Sequence, residues 1–324
     1  MNWSEVLKKH PEANFLQSPE YGKMNEILGN KVITEGFGGN GYALMIVRDA
    51  KRGRYLEMPC GPLLDWNDKK VVRAVFDEIR KIAKREKCVF VRIRPQLMDN
   101  AENLKILTGL GLKKAPMHLA AEHTVIIDLT QTEDKLLGNM RRQTRYDVRR
   151  SGKLGIKVEK NNSKEIFEEF YKVQTDTAKR QNFIPPSLKT LLAEREAFGD
   201  KIEIYVAKTD DDQPIAYGMI IRDGKEGDYY EAASTPLNRK MPGAHALLWQ
   251  AMQDLKAERY ERFNLWGIAP ANQPNHRYAG VTTFKTGFGG DTVAYAPAHD
   301  MIISKVKYLK NWLVETIRRK KRHL

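Results

Sequence analysis

Gly227-Asp228-Tyr229-Tyr230-Glu231-Ala232-Ala233 reads as a strand, Arg239-Lys240-Met241-Pro242-Gly243-Ala244 as a glycine-containing loop, and Ala244 to Glu258 as the helix that this loop opens. Proline suits a helix start because its missing N–H would have no partner there. A strand, a short loop and a helix N-terminus in that order can hold an anion on the first free amides of the helix. Pro242 has no N–H to donate, and an ordinary proline-started helix gives the same pattern.

The segments around it repeat this alternation. Upstream of the loop, Ile202 to Lys208 and Ile215 to Arg222 read as strands separated by a turn at Asp210-Asp211-Asp212. Downstream come a strand at Arg262 to Trp266, a short helix at Tyr278 to Thr286 and a strand at Thr292 to Tyr295. The first half has strands at Gly41 to Val47, Arg54 to Met58 and Cys88 to Ile93. Between the last two, Lys69 to Glu86 places Val72, Val75, Phe76, Ile79 and Ile82 at helical spacing. Asn100 to Leu110 reads as a helix and Glu122 to Leu129 as a strand. Thr130 and Glu133 fit a capping box for a helix running to Ser151-Gly152, and Glu165 to Lys179 is a further helix. Met301 to Lys321 reads as a basic C-terminal helix. Each half therefore reads as helices on a mixed sheet, an α+β chain built by tandem duplication.

The 324 residues fit two domains. A hydrophobic share of 41% with 30% charged residues suits a packed globular chain rather than a disordered one. No apolar run reaches the ~18 residues of a membrane span, and the first residues have no secretory apolar core. Two cysteines, Cys60 and Cys88, are too few for a disulfide framework or a four-cysteine metal site, and a reducing cytoplasmic location follows. The net charge of +14 is concentrated. Residues 135–160 carry nine Lys/Arg against two acids, and residues 305–324 carry eight against one. Each segment thus holds +7, and the rest of the chain sums to zero. Arg141, Arg145 and Arg149 recur every four residues and form one helical stripe. Such segments attract nucleic acid, diphosphates or an anionic membrane face, or are simply solvated helix faces.

Phe284-Lys285-Thr286-Gly287-Phe288-Gly289-Gly290 is the sharpest local feature. A lysine among aromatics and glycines, with few acids nearby, can hold a developing oxyanion or a phosphate. Desolvation would lower its pKa and let it carry a proton. A lysine snorkelling over an apolar patch would look the same. Phe263-Asn264-Leu265-Trp266-Gly267 and Asn275-His276-Arg277-Tyr278-Ala279-Gly280 precede it, and His276 could serve as a base. No His/Cys/Asp grouping has metal-ligand spacing, and neither a nucleophile elbow nor a Walker loop is present.

The loop at Arg239–Ala244 resembles the pyrophosphate loop of acyl-CoA N-acyltransferases, the GNAT fold, with Pro242 at the middle glycine position. Over nearly its whole length the chain resembles the Fem family of peptidoglycan bridge-forming aminoacyltransferases. The resemblance is carried by Phe15-Leu16-Gln17-Ser18-Pro19-Glu20-Tyr21, Pro59-Cys60-Gly61-Pro62-Leu63, the basic helix from Asn139 to Lys157, Tyr230-Glu231-Ala232-Ala233-Ser234, Phe263 to Gly267 and Phe284 to Gly290. No charged heptad insert lies between residues 150 and 300, so the form resembled is the compact FemX type without a coiled-coil arm.

That resemblance implies two GNAT-like domains, 1–135 and 136–300, with helix 301–324 returning to the first. It implies transfer of an amino acid from aminoacyl-tRNA to the stem-peptide amine of a UDP-linked or lipid-linked peptidoglycan precursor. No cofactor or metal is implied, because the ester is already activated. Lys285 would offset charge at the reacting end, with Phe284 beside it. Tyr230, Thr177 and Arg180 would bind the precursor, Lys179 being the alternative to Arg180 and Lys23 a further candidate. Arg141, Arg145, Arg149, Lys305, Arg318 and Arg319 would meet tRNA. Arg94 stands where the family often shows an acidic residue before proline, so a carboxylate base is not implied there. The expected protein is a cytoplasmic monomer that can touch the inner membrane face. A CoA-dependent N-acyltransferase and a non-catalytic RNA-binding protein are the alternatives.

Overall fold

The computed structural model describes residues 2–39, 41–181, 183–271, 273, 276 and 278–322, the side chains of 320–322 excepted. Asn275 and Arg277, which fall within a motif quoted above, lie outside the described residues, as does Asn182. The chain divides into two compact units. Unit 1 comprises Met1–His123, Ala269–Arg277 and Val293–Leu324, and unit 2 comprises Thr124–Ile268 and Tyr278–Thr292.

The chain opens with helices α1 (Trp3–Lys9) and α2 (Pro19–Ile27), then strands β1 (Lys31–Gly36), β2 (Gly41–Ala50), β3 (Gly53–Pro59) and β4 (Leu63–Leu64). Helix α3 (Lys69–Arg85) is capped by Asp68, whose carboxylate accepts from the Lys70 and Val71 amides. Its Val72, Val75, Phe76, Ile79 and Ile82 are buried on the sheet, as their spacing requires. Strand β5 (Phe90–Arg94), helix α4 (Ala101–Gly109) and β6 (Lys113–Lys114) follow. The next stretch holds β7 (His123–Asp128), α5 (Glu133–Asn139), α6 (Arg142–Lys153), β8 (Lys157–Asn161), α7 (Lys164–Gln181) and α8 (Leu188–Phe198). It continues through β9 (Ile202–Lys208), β10 (Pro214–Asp223), β11 (Glu226–Ser234), α9 (Gly243–Ala257) and β12 (Arg262–Asn264). The last elements are α10 (Ala279–Thr286), β13 (Asp291–Ala294), β14 (His299–Ile302) and α11 (Lys305–Arg322).

Two seven-stranded sheets result. One runs β1-β2-β3-β5-β14-β6 with β4 beside β2, and the other β13-β7-β12-β11-β10-β9-β8. Each contains a parallel pair reached through a helix. β3 pairs with β5 across α3, and β11 with β12 across α9. This shared strand–helix–strand connection is the structural content of the duplication. The fold is α+β, a tandem pair of mixed sheets flanked by helices. Among the described residues no helix exceeds 18 residues and no coiled-coil arm is inserted.

Three expectations change. The helix read from Thr130 to Gly152 is two helices, because Met140 and Arg141 are extended and the Arg141 amide donates to Gly287 O instead of continuing the helix. Its cap is Thr132, while Thr130 hydrogen-bonds Asp128. The helix read from Met301 starts at Lys305, since Met301 lies in β14 between β5 and β6. The break expected near residue 135 falls at His123/Thr124, because β7 pairs with β12.

Helix α11 belongs to unit 1. Arg92 is buried and grips Asp300 through two 2.8 Å bonds and Glu315 through one of 2.7 Å. The Tyr308 hydroxyl donates to Asp300 at 2.9 Å. Removing one charge from such a cluster leaves the other without full compensation. Asp300→Asn should therefore cost ~3 kcal/mol, read as a lower midpoint in urea unfolding; a loss below ~1 kcal/mol would mean that Glu315 alone satisfies Arg92.

Candidate active site

In unit 2, β11 and β12 stay paired from Glu226/Arg262 to Asp228/Asn264 and then part. β11 continues along β10 to Ser234. The other chain stays against β7 through the Leu265 amide, then turns at Trp266, whose φ is +61°. A non-glycine residue rarely adopts that backbone, and residues held so cluster at functional sites. The Asn264 side chain supports the turn by accepting from the Trp266 amide at 2.9 Å.

The parted strands leave polar backbone in a buried place. Helix α10 answers with Lys285, whose Nζ donates to Gly267 O at 3.0 Å. Lys285 is only 8% exposed, and its amine lies 5.7 Å over the Tyr229 ring. β11 also carries an extra residue. Met219 pairs with Glu231 and Ile220 with Tyr229, so Tyr230 is bulged out of the ladder. It packs edge-on against Trp266 with centroids 5.4 Å apart. Gly218 makes room for Tyr229, since a Cβ there would lie 2.6 Å from that ring.

The charge around Lys285 is sparse. Burial pushes its pKa down to about 7, and the Glu231 carboxylate opposes that shift. Burial pushes Glu231 up to about 7, while Lys285 and a 2.7 Å bond from the Gln174 amide of α7 pull it back. Behind it, buried Glu194 of α8 is held well above the ordinary carboxylate range by desolvation and by Glu231. Lys285, Glu231 and Glu194, with the Gln174 amide, thus form a polar core in which burial works against the charged forms and the Lys285–Glu231 attraction works for them. Such a lysine can supply an ammonium to a nascent oxyanion or release its proton near neutrality.

Phe284 is adjacent to Lys285 in sequence but on another helix face. Its ring packs on His245 and Phe288, at 5.0 and 5.3 Å, against the core. Thr177 and Arg180 share one face of α7 and tie down the end of β11: the Thr177 hydroxyl donates to Ser234 O at 3.0 Å, and Arg180 donates to the same carbonyl and to Thr177. Lys179 points elsewhere and pairs with Asp176 on an exposed surface. Lys23 is exposed on α2, in unit 1.

The arginine stripe divides. Arg141 clamps the last turn of α10 by donating to Thr283 O and Thr286 Oγ1. Arg145 donates to the final carbonyls of α5. Arg149 is exposed and has no polar partner among the described residues. Lys305 and Arg318 are exposed and Arg319 half-buried on α11. His276 belongs to unit 1, where its amide donates to Gln273 O. So does Arg94, which is buried against Cys60, Gln96 and the Tyr295 ring. At the start of α9 the Gly243 amide donates to Met241 O and the Ala244 amide to Asn238 Oδ1, so the loop does not present the row of free amides that a pyrophosphate site uses. Among the described residues no group of three His, Cys, Asp or Glu could hold a metal.

Glu231, Gln174 and Glu194 were not singled out as site residues from the sequence. Glu231 stands in a quoted motif, but its partners come from α7, α8 and α10, and no local spacing announces them.

The fold and site define a tandem GNAT-like protein with a desolvated lysine where two parallel strands diverge. The model of the FemAB family matches residues 2–115, 107–213 and 206–316, and the chain belongs to that family. It is similar to a lipid II:glycine glycyltransferase of Staphylococcus epidermidis, 27% identical over 195 residues, which are 55% of this chain and 46% of that protein. The chain spans about half the length of that relative. The crystal structure of FemX matches with a TM-score of 0.84 at 17% identity, covering 97% of this chain and 98% of the other. A tandem GNAT protein from the clavulanic acid biosynthesis pathway matches with a TM-score of 0.53 at 10% identity, covering 82% and 79%. Both structural matches share the fold.

Because Lys285 titrates near 7 in the fold against 10.5 ordinarily, the unfolded chain binds more protons between those values. Its burial cost is complete below about pH 7 and fades as pH rises toward 10.5. Lys285→Met should therefore be more stable than the parent at about pH 6, with the advantage shrinking through about pH 9. Denaturant midpoints across that range test this, and an advantage that does not depend on pH would refute the shifted lysine.

Proposed function

We propose that this protein is an aminoacyltransferase that moves an amino acid from aminoacyl-tRNA to the stem-peptide amine of a peptidoglycan precursor, UDP-linked or lipid-linked. The observation that carries the reading is the desolvated Lys285 amine at the strand divergence in a FemAB family member. The relative named as acting on lipid II and glycine supports the substrate class. Among the described residues no helix is long and apolar enough to cross a membrane.

The reaction asks little beyond alignment and charge stabilisation. The acceptor nitrogen attacks the ester carbonyl, the C–N bond forms, and the C–O bond to the tRNA ribose breaks. The proton leaving the nitrogen balances the one gained by the ribose oxygen. The largely buried Lys285 ammonium meets the tetrahedral oxyanion. Glu231 opposes the desolvation of the amine and so favours its protonated form. Tyr230, Thr177 and Arg180 border the end of β11 and would bind precursor. Lys179 is the alternative to Arg180, and Lys23, in unit 1, is a weaker candidate for precursor binding. Arg149 of unit 2 has its guanidinium in solvent to meet tRNA phosphate, and Arg318 and Arg319 of unit 1 are separate candidates for tRNA. Arg141 and Arg145 serve first to hold α10 and α5. Phe284 fixes the helix that carries Lys285.

The test is to incubate the protein with total charged tRNA and either precursor and read product mass. One amino-acid increment on the precursor is expected; none with any charged tRNA refutes the reading. Stabilisation by acetyl-CoA in a melting experiment would favour the CoA-dependent alternative, and unchanged cellular effects in Lys285→Ala a non-catalytic one. Lys285→Met should lower kcat/KM by ~100-fold or more. Glu231→Gln removes the charge that lifts the Lys285 pKa, so the alkaline limb of kcat/KM should move to lower pH. A shift of the acid limb instead would make neutral Lys285 a base.

A further inference from the structure

Helix α11 is amphipathic the wrong way round for a water-exposed helix. The face turned to unit 1 is polar: Tyr308 donates to Asp300, Asn311 accepts from Arg52 at 2.7 Å, and Glu315 accepts from Arg92. The opposite face is apolar. Val306, Leu309, Leu313 and Ile317 recur at three- and four-residue spacing, and Val306 is 85%, Leu309 65% and Leu313 54% exposed. With Trp312, this one helix holds five of the nine large exposed apolar side chains among the described residues. Isolated exposed apolar residues need no explanation, but a contiguous stripe does.

Cations frame the stripe. Lys305 precedes Leu309 by one turn and Lys310 follows Val306 by one turn. Lys305, Lys307 and Lys310 are exposed and pair with no carboxylate among the described residues. An RNA backbone would satisfy these cations and leave the leucines in water. A bilayer bearing anionic headgroups satisfies both, with the apolar side chains at the acyl boundary and the ammonium groups at the phosphates. We propose that the Val306–Ile317 face of α11 docks on an anionic membrane surface, with the helix lying in the interface plane.

Vesicle cosedimentation of the full chain tests this. Binding to phosphatidylcholine–phosphatidylglycerol vesicles should exceed binding to phosphatidylcholine alone and fall with added salt. The double variant Leu309→Gln/Leu313→Gln alters exposed positions off the polar face of α11, in unit 1, while Lys285 belongs to unit 2. It should bind the mixed vesicles ~10-fold more weakly and retain full tRNA affinity and transfer to a water-soluble acceptor. Absence of vesicle binding by the parent, equal binding by the variant, loss of tRNA affinity in the variant, or a parent dimer that the variant dissolves would each overturn the proposal. Vesicle binding is read without turnover, so its failure and that of the transferase reading are separable.

Discussion

Two parallel strands that stop pairing create the condition on which the candidate site depends. Where β11 and β12 part beyond Asp228 and Asn264, the backbone loses its ladder in a half-buried place. The Lys285 amine restores one partner by donating to Gly267 O. Burying an amine this way costs several kcal/mol unless it is compensated. The compensation is partial, since Glu231 and the Tyr229 face offset desolvation without removing it. A group left in that condition is chemically responsive, which a fully paired lysine is not.

The neighbourhood is built to keep that lysine in place. The Arg141 guanidinium and amide hold the last turn of α10, and the Phe284, Phe288 and His245 rings wedge its apolar side into the core. Thr177 and Arg180 fasten the far end of β11. Unit 1 has the same strand–helix–parallel strand connection in β3, α3 and β5, yet closes its end with Arg94 against Cys60 and Gln96. Duplication therefore preserved the connection while the two ends took different chemistry, consistent with function residing in the site rather than the fold.

Elements with strong local periodicity could be read directly. Helix α3 and the strand–loop–helix into α9 lie within a residue or two of their sequence boundaries, because apolar spacing and an Asp or Pro-Gly start suffice to specify them. Lys285 also stood out, since a lysine between aromatics and glycines is locally unusual. Glu231 did not, because its meaning comes from Lys285, 54 positions away in sequence. The break at Met140–Arg141 was hidden for the same reason. The acceptor of the Arg141 amide, Gly287 O, belongs to a distant segment. β14 was absorbed into a basic helix because a four-residue strand shows little period of its own.

Charge counts misled in a more general way. Residues 135–160 and 305–324 have the same net charge, yet the fold uses them differently. In the first, Arg141, Arg145 and Arg150 donate to backbone carbonyls, so several cations cap helices and loops rather than await a ligand. In the second, arginines from elsewhere in unit 1 reach the helix, Arg92 to Glu315 and Arg52 to Asn311, while Lys305, Lys307 and Lys310 face water beside leucines. Net charge reports the sum of these arrangements and not their orientation. Orientation separates a helix that scaffolds a site from one that offers a surface, and on α11 it is the mismatch between its polar inner and apolar outer faces that carries the information.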